Sequence, residues 1–177
     1  MQTKNTLKLI AICALLAGAT ATFAAGNQAG GHSHADSAIG KAGDAAKVSR
    51  TVAVDMNDAM RFMPSSITVK QGETVRLVVK NSGKLKHELV LGTEKELTEH
   101  YAQMKIHPEM EHDAPNMVLV APGKTREMIW QFTKAGKVDF ACLQPGHYEA
   151  GMKGSFTVAG AAAAPVGEAS KTTKAAA

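Results

Sequence analysis

The sequence predicts an all-β domain, a two-sheet antiparallel β-sandwich with one short helix in an insertion. Between residues 48 and 159, roughly seven or eight short segments alternate apolar and polar side chains with a period of two, as half-buried strands do. Turns that contain glycine or proline separate these segments. Many short strands joined by such turns are typical of a sandwich.

Four strands are predicted before the insertion, each a short alternating or β-branched run: residues 51–55, 67–70, 74–80 and 87–91. A turn-rich crossing at residues 56–64 joins the first two. Gly72 provides the backbone freedom for a tight turn before the third strand. The fourth strand begins at His87, after a further glycine-containing turn.

One helix is predicted after the fourth strand. Thr93 and Glu96 have the spacing of a capping box, in which the hydroxyl and the carboxylate bind free amides at the start of a helix. Pro108 is expected to end the helix, because proline has no N–H to donate within it. Three apolar residues recur on one face of this helix: Leu97, Tyr101 and Met104.

The strand pattern returns after the insertion. Four further strands are predicted: residues 117–120, 125–132, 138–142 and 154–158. Gly123 and Gly136 lie in the turns between the first three of them. The third of these strands leads directly into a loop that begins at Cys142.

The two ends of the chain differ in composition from the domain at residues 48–159. Residues 1–24 are predicted to be a cleaved export signal, because lysines precede an apolar run that is too short to span a membrane. Residues 25–47 are predicted to be a flexible arm, a solvated linker unless His32 and His34 bind a metal ion. The alanine-rich residues 160–177 are predicted to be a disordered tail. We therefore expect a periplasmic protein without membrane insertion of the mature chain.

The charge pattern argues against nucleic acid as a partner. The formal net charge is +4, and loss of the signal would leave roughly +2. The sequence has no basic stripe with interleaved aromatic residues. It also has no nucleophile and base at a recognised spacing, which argues against a hydrolase.

A loop near the C-terminal end carries a metal-binding pattern. Cys142, His147 and Met152 follow one another at intervals of five residues among turn-forming residues. Two His, one Cys and a weak axial Met form the ligand set of blue-type copper centres, and His87 is the candidate for the second His. Cys13 is expected to leave with the signal, so metal binding explains the lone Cys142 better than a buried inert thiol does.

The pattern resembles the cupredoxins, the superfamily of plastocyanin, azurin and pseudoazurin. The resemblance covers roughly residues 48–159 and rests on the run at residues 62–75, the isolated His87 and the loop at residues 142–152. It implies a Greek-key sandwich with a type 1 copper that can be Cu(I) or Cu(II). It also implies that one ligand imidazole lies near solvent, and we assign this role, the entry point for electrons, to His147. The implied copper ligands are His87, Cys142, His147 and Met152. The spacing from His147 to Met152 leads us to expect a green rather than a blue site.

A second group of candidate copper ligands lies in the insertion. Thioethers and imidazoles suit Cu(I), and these candidates are His100, Met104, His107, Met110, His112 and Met117. The alternative is that the segment serves only packing and surface, because Met104 shares the apolar helix face and methionine fills cores well.

Several segments together resemble the exported cupredoxins associated with bacterial copper tolerance: residues 89–93, 108–112, 116–117 and 142–152. That resemblance implies binding of periplasmic copper, with oxidation of Cu(I) to Cu(II) through the second site as a candidate activity. The alternative is a single-copper electron carrier between periplasmic redox enzymes. Neither interpretation assigns a catalytic residue, so whether the protein is an enzyme stays open.

Overall fold

Besides a short 3-10 helix, Ala45–Lys47, the part of the chain that the computed structural model describes, residues 37–108 and 113–160, contains ten strands and one α-helix. In chain order they are β1 Lys41–Ala42, β2 Arg50–Asn57, β3 Arg61–Met63, β4 Ser66–Lys70, β5 Thr74–Asn81, β6 His87–Gly92, α1 Glu94–Ile106, β7 Met117–Val120, β8 Thr125–Gln131, β9 Gly136–Ala141 and β10 Lys153–Ala159. Every predicted strand is present, and the short strands β1 and β3 are additional. The prediction of an all-β sandwich with one helix is confirmed.

The strands form two sheets of five, in the orders β1-β8-β5-β2-β3 and β4-β10-β9-β6-β7. Two neighbouring pairs, β2 with β5 and β4 with β10, run parallel. The predicted antiparallel arrangement is present in the other neighbouring pairs and is wrong for these two. Side-chain alternation is the same for both directions, and the chain between β2 and β5 crosses to the other sheet instead of forming a hairpin.

Apolar residues from both sheets form one hydrophobic cluster. In β5, the alternate residues Val75, Leu77 and Val79 are fully buried, as the period of two requires. Phe140 of β9 packs edge-to-face on Phe62 of β3, with ring centroids 5.0 Å apart. Burying a side chain of this size contributes roughly 1.5–3 kcal/mol to the stability of the fold. This cluster therefore stabilises the sandwich that carries the candidate metal ligands.

Helix α1 begins with the predicted capping box, which is confirmed. The Thr93 hydroxyl accepts from the N–H of Glu96 at 3.2 Å, and the Glu96 carboxylate accepts from the N–H of Thr93 at 2.7 Å. The helix ends at Ile106, before Pro108 as predicted. Its buried residues join a second hydrophobic cluster on the face of the sheet opposite the sandwich core: Val90, Leu97, Tyr101, Met104, Met117, Ala141 and Leu143.

Residues 37–47, the last part of the predicted arm, pack against the sandwich. Ile39 is buried, and the indole N–H of Trp130 donates to the Ile39 carbonyl at 2.8 Å. Ile39 and the distant Trp130 thus make a contact that local composition does not reveal. Residues 1–36 and 161–177 lie outside the described residues, and with them the predicted signal, His32 and His34.

Within the described ranges, no helix combines the length and apolar character needed to cross a membrane.

Candidate metal centre

Three side chains with metal-binding atoms converge at one end of the sandwich. One ligand atom each from His87, Cys142 and His147 lies within 4.8 Å of the others. The Nδ1 atoms of the two histidines are 3.1 Å apart, and Cys142 Sγ is 3.3 Å from Nδ1 of His147. Among the described His, Cys, Asp and Glu residues, this is the one group of three that could hold an ion.

The alternation of side chains along β9 places the side chain of Cys142 on the same side as the sandwich core, near the two histidines. Successive residues of a strand face opposite sides, and the end of β9 shows this alternation. Phe140 and Cys142 belong to the sandwich core, whereas Ala141 and Leu143 face helix α1. His87 begins the neighbouring strand β6 and is fully buried, so both residues enter the site from adjacent strands.

The loop after Cys142 folds back on itself and returns Met152 to the same place. The N–H of Met152 donates to the His147 carbonyl at 3.1 Å, and the N–H of Cys142 donates to the Met152 carbonyl at 3.1 Å. Met152 is fully buried in the same hydrophobic cluster as Cys142. Gly146 has a φ of 85°, a left-handed conformation that favours glycine, in the turn just before His147.

Burial sets the charge of the thiol and of the half-buried imidazole. Burial raises the pKa of Cys142 to about 12, so the metal-free thiol keeps its proton at neutral pH. Burial also lowers the pKa of His147, and His87 adds to that effect, so the imidazole stays neutral with a lone pair available. A metal ion must therefore displace the thiol proton when it binds.

The donor set fits copper. The thiol sulfur and two imidazole nitrogens that lie within 4.8 Å of one another are three of the four ligands of blue-type copper centres. The side chain of Met152, which would supply the fourth, is buried in the same hydrophobic cluster as Cys142. The atoms come from a sheet and from a loop that backbone hydrogen bonds hold in place.

Two carboxylates that the sequence analysis did not single out lie beside this set: one contacts His87 and the other contacts the residues that follow Cys142. Asp58 Oδ1 lies 3.1 Å from Nε2 of His87. Glu88 is 2% exposed, and its carboxylate accepts from the N–H of Leu143 at 2.9 Å and from the side-chain amide of Gln144 at 3.3 Å. A charged residue inside an otherwise apolar strand was the available signal for Glu88. No comparable signal marked Asp58, which lies in a turn.

A buried asparagine holds the segment that leads to His87. Asn81 is fully buried, and its amide donates to the carbonyls of Leu85 at 2.7 Å and Val120 at 2.9 Å. The Asn81 carbonyl oxygen accepts from the N–H of Gly83 at 2.9 Å. Both polar atoms of this side chain therefore form hydrogen bonds that hold the segment before His87 in place.

Helix α1 supports the loop from the other side. The hydroxyl of Tyr101 accepts from the N–H of Gly146 at 3.1 Å and donates to the carboxylate of Glu149. The ring of Tyr148 stacks on that of Tyr101, with centroids 4.9 Å apart. The helix is therefore linked to the residues on both sides of His147.

Four members of the second predicted group lie within the described residues. Met104 and Met117 are buried in the hydrophobic cluster under helix α1. His100 is half-buried on the helix, and His107 is exposed at its end. Met110 and His112 lie outside the described residues.

Comparisons with known proteins agree with this geometry. The model of a family described as copper binding proteins, plastocyanin/azurin family, matches residues 48–159. A protein named copper-resistant cuproprotein CopI from Rubrivivax gelatinosus is 51% identical, over 85% of this chain and 94% of that protein. A protein of the same name from Pseudomonas aeruginosa is 43% identical, over 68% of this chain and 82% of that protein.

Solved structures show the same fold. A reduced auracyanin from Roseiflexus castenholzii is similar with a TM-score of 0.54 and 24% identity, over 63% of this chain and 98% of that chain. Auracyanin A from Chloroflexus aurantiacus, described as a blue copper protein, has a TM-score of 0.51 and 25% identity, over 61% of this chain and 97% of that chain.

Proposed function

Because the chain belongs to the plastocyanin/azurin family of copper-binding proteins, we propose that it is a periplasmic type 1 copper protein that acts in copper tolerance. Copper is the metal of this family. The observation that carries the proposal is the convergence of Cys142 Sγ with the Nδ1 atoms of His87 and His147. Relatives named copper-resistant cuproproteins support the role in tolerance. The predicted export signal supports the periplasm.

The proposed ligands are His87, Cys142 and His147, with Met152 as the weaker fourth ligand. Bound copper supplies a one-electron couple between Cu(I) and Cu(II). The fully buried His87, Cys142 and Met152 exclude water from the site. His147 is half-buried, so its ring is the proposed contact with an electron donor or acceptor.

The finer proposal is that Cu(I) is also a substrate. One electron leaves the ion, which becomes Cu(II), and reaches a one-electron acceptor among the periplasmic redox proteins. His100 of helix α1 and His107, just after its end, are candidates for binding the incoming Cu(I), as are Met110 and His112. The link from this helix to the loop of His147 through Tyr101 supports a role close to the proposed copper site.

The second candidate function is a single-copper electron carrier. The burial of Met104 and Met117 among apolar side chains favours it, because these thioethers fill the core under the helix. In this case the insertion binds no copper, and only the first group of ligands has a role.

The number of copper ions per chain and the visible spectrum test both forms of the proposal. We expect intense visible absorption that Cys142→Ser abolishes, because the charge-transfer band needs the thiolate. Colour retained by this variant would contradict the type 1 assignment. Loss of a second copper on combined replacement of His107, Met110 and His112 would support the two-site form, whereas one copper in both proteins would support the electron carrier.

Copper tolerance is tested separately in cells. A strain without the gene should grow less well on copper, and the wild-type gene should restore growth where the Cys142→Ser gene does not. Equal restoration by both genes would contradict a role for this site in tolerance.

A further inference from the structure

Asp58 lies in the turn between β2 and β3, far in sequence from the proposed ligands, yet its carboxylate contacts His87. The Oδ1 to Nε2 distance is 3.1 Å. The side chain of His87 has no exposed surface, whereas that of Asp58 is 36% exposed. Asp58 therefore connects a buried proposed ligand with the surface.

This contact determines which nitrogen of His87 can bind a metal. An ionised carboxylate only accepts hydrogen bonds, and Asp58 also accepts from the N–H groups of Lys84 at 2.7 Å and Leu85 at 3.2 Å. Nε2 of His87 must then carry the proton that is donated to Asp58. In the neutral ring the lone pair is consequently on Nδ1, the atom 3.1 Å from Nδ1 of His147.

The backbone next to Asp58 leaves the space that this carboxylate needs. A Cβ atom at Gly83 would collide with Oδ1 of Asp58, so the close approach depends on glycine there. The N–H of Gly83 is in turn held by the buried Asn81 at 2.9 Å. The carboxylate is thus fixed by the segment that leads to His87 as well as by His87 itself.

We infer that Asp58 is a positioning residue of the copper centre, which makes His87 a stronger donor and so favours Cu(II) over Cu(I). This inference rests on the proposed function, since it requires copper on His87. A carboxylate that accepts the other N–H of a metal-bound imidazole fixes the ring and raises its basicity. The negative charge of the Asp58 carboxylate also stabilises Cu(II) more strongly than Cu(I).

Asp58→Asn tests the inference, because asparagine keeps the size and one acceptor oxygen but removes the charge. We expect the affinity for Cu(II) to fall about tenfold, as is typical when such a partner is changed, with a smaller effect on Cu(I). A tenfold loss confined to Cu(II) raises a one-electron reduction potential by about 59 mV.

Asp55→Asn is the matched control. Asp55 lies in β2 and accepts from the hydroxyl of Ser82 at 2.7 Å, so it links the same parts of the chain with the same charge but does not touch His87. A raised potential in Asp58→Asn and an unchanged one in Asp55→Asn would support the inference. Equal potentials in both variants would overturn it.

A metal-free measurement gives a second readout. The ¹⁵N NMR signals of the His87 ring in the metal-free protein should show a proton on Nε2 in the wild type and a mixture of tautomers in Asp58→Ala. A proton on Nδ1 in the wild type would overturn the inference. If instead the wild type bound no copper with visible absorption, the proposed function itself would be contradicted, so the two failures are distinct.

Discussion

The carboxylate of Glu88 accepts a hydrogen bond from the backbone N–H of Leu143 at 2.9 Å. Each of these residues is the immediate neighbour of a proposed copper ligand, His87 in one case and Cys142 in the other. The bond therefore ties the start of β6 to the loop that follows β9, at the site itself. Glu88 is almost completely buried, so water cannot replace it as an acceptor.

Glu88→Gln is expected to destabilise the protein. The amide offers one acceptor oxygen in place of two, so the N–H of Leu143 and the side-chain NH2 of Gln144 compete for it. An unsatisfied buried group costs about 1–3 kcal/mol, which urea denaturation of the metal-free protein can measure. Glu127→Gln is the control, because Glu127 is paired with Arg76 at the surface, where an ion pair contributes only about 0–1 kcal/mol. Equal losses in the two variants would contradict the role of Glu88.

Tyr101→Phe is expected to loosen the loop that carries His147. The change keeps the ring in the cluster under the helix and removes only the hydroxyl that joins Gly146 and Glu149. Loss of such hydrogen bonds costs about 0.5–1.5 kcal/mol each, and the amide of Gly146 should exchange its hydrogen faster.

Tyr148→Phe is the matched control for this change. Its hydroxyl contacts Thr98 at 3.2 Å on the exposed side of the helix, away from the backbone of the loop. Hydrogen exchange at Gly146 that stayed slow in Tyr101→Phe would show that the hydroxyl does not hold the loop.

Local patterns predicted most of the fold and three converging residues of the site. The alternation in residues 74–80 identifies β5, and the spacing of Thr93 and Glu96 identifies the start of α1. The five-residue spacing after Cys142 is also local, because one loop carries three candidate ligands. His87 could be added because a His at a strand start next to such a loop suits a metal site.

Contacts between distant parts of the chain could not be predicted in this way. Asp58 and Glu88 reach the site through partners 29 and 55 residues away, and no short window contains both members of either pair. The parallel direction of β2 and β5 and the packing of Ile39 under Trp130 are also set by distant partners.

Met152→Leu is expected to keep copper but raise its reduction potential. The change preserves the volume of a fully buried side chain and removes a thioether that would stabilise Cu(II), and the axial ligand tunes the potential of such sites. Cyclic voltammetry measures this shift. The visible spectrum tests the expected green site, because the variant removes the stronger axial bond to Met152 on which that expectation depends.

Met128→Leu is the control for the axial ligand. Met128 is buried in β8 within the same hydrophobic cluster, and it is not a proposed ligand. We expect a similar small effect on the melting temperature in both variants, since Met and Leu exchange at a cost below about 1.5 kcal/mol. An equal potential in the two variants would contradict axial binding by Met152.

The thiol of Cys142 is expected to make the metal-free protein less stable at high pH. Burial raises its pKa from the ordinary 9.0 to about 12, so between these values the folded state holds a proton that the unfolded chain has lost. The unfolded chain then binds fewer protons, and the free energy of unfolding falls as the pH rises, by at most about 1.4 kcal/mol per pH unit. Urea denaturation with a chelator at about pH 8 and about pH 10.5 measures the loss. Cys142→Ser cannot ionise in this range and should lose less stability, whereas equal losses would mean that the buried thiol is not the group responsible.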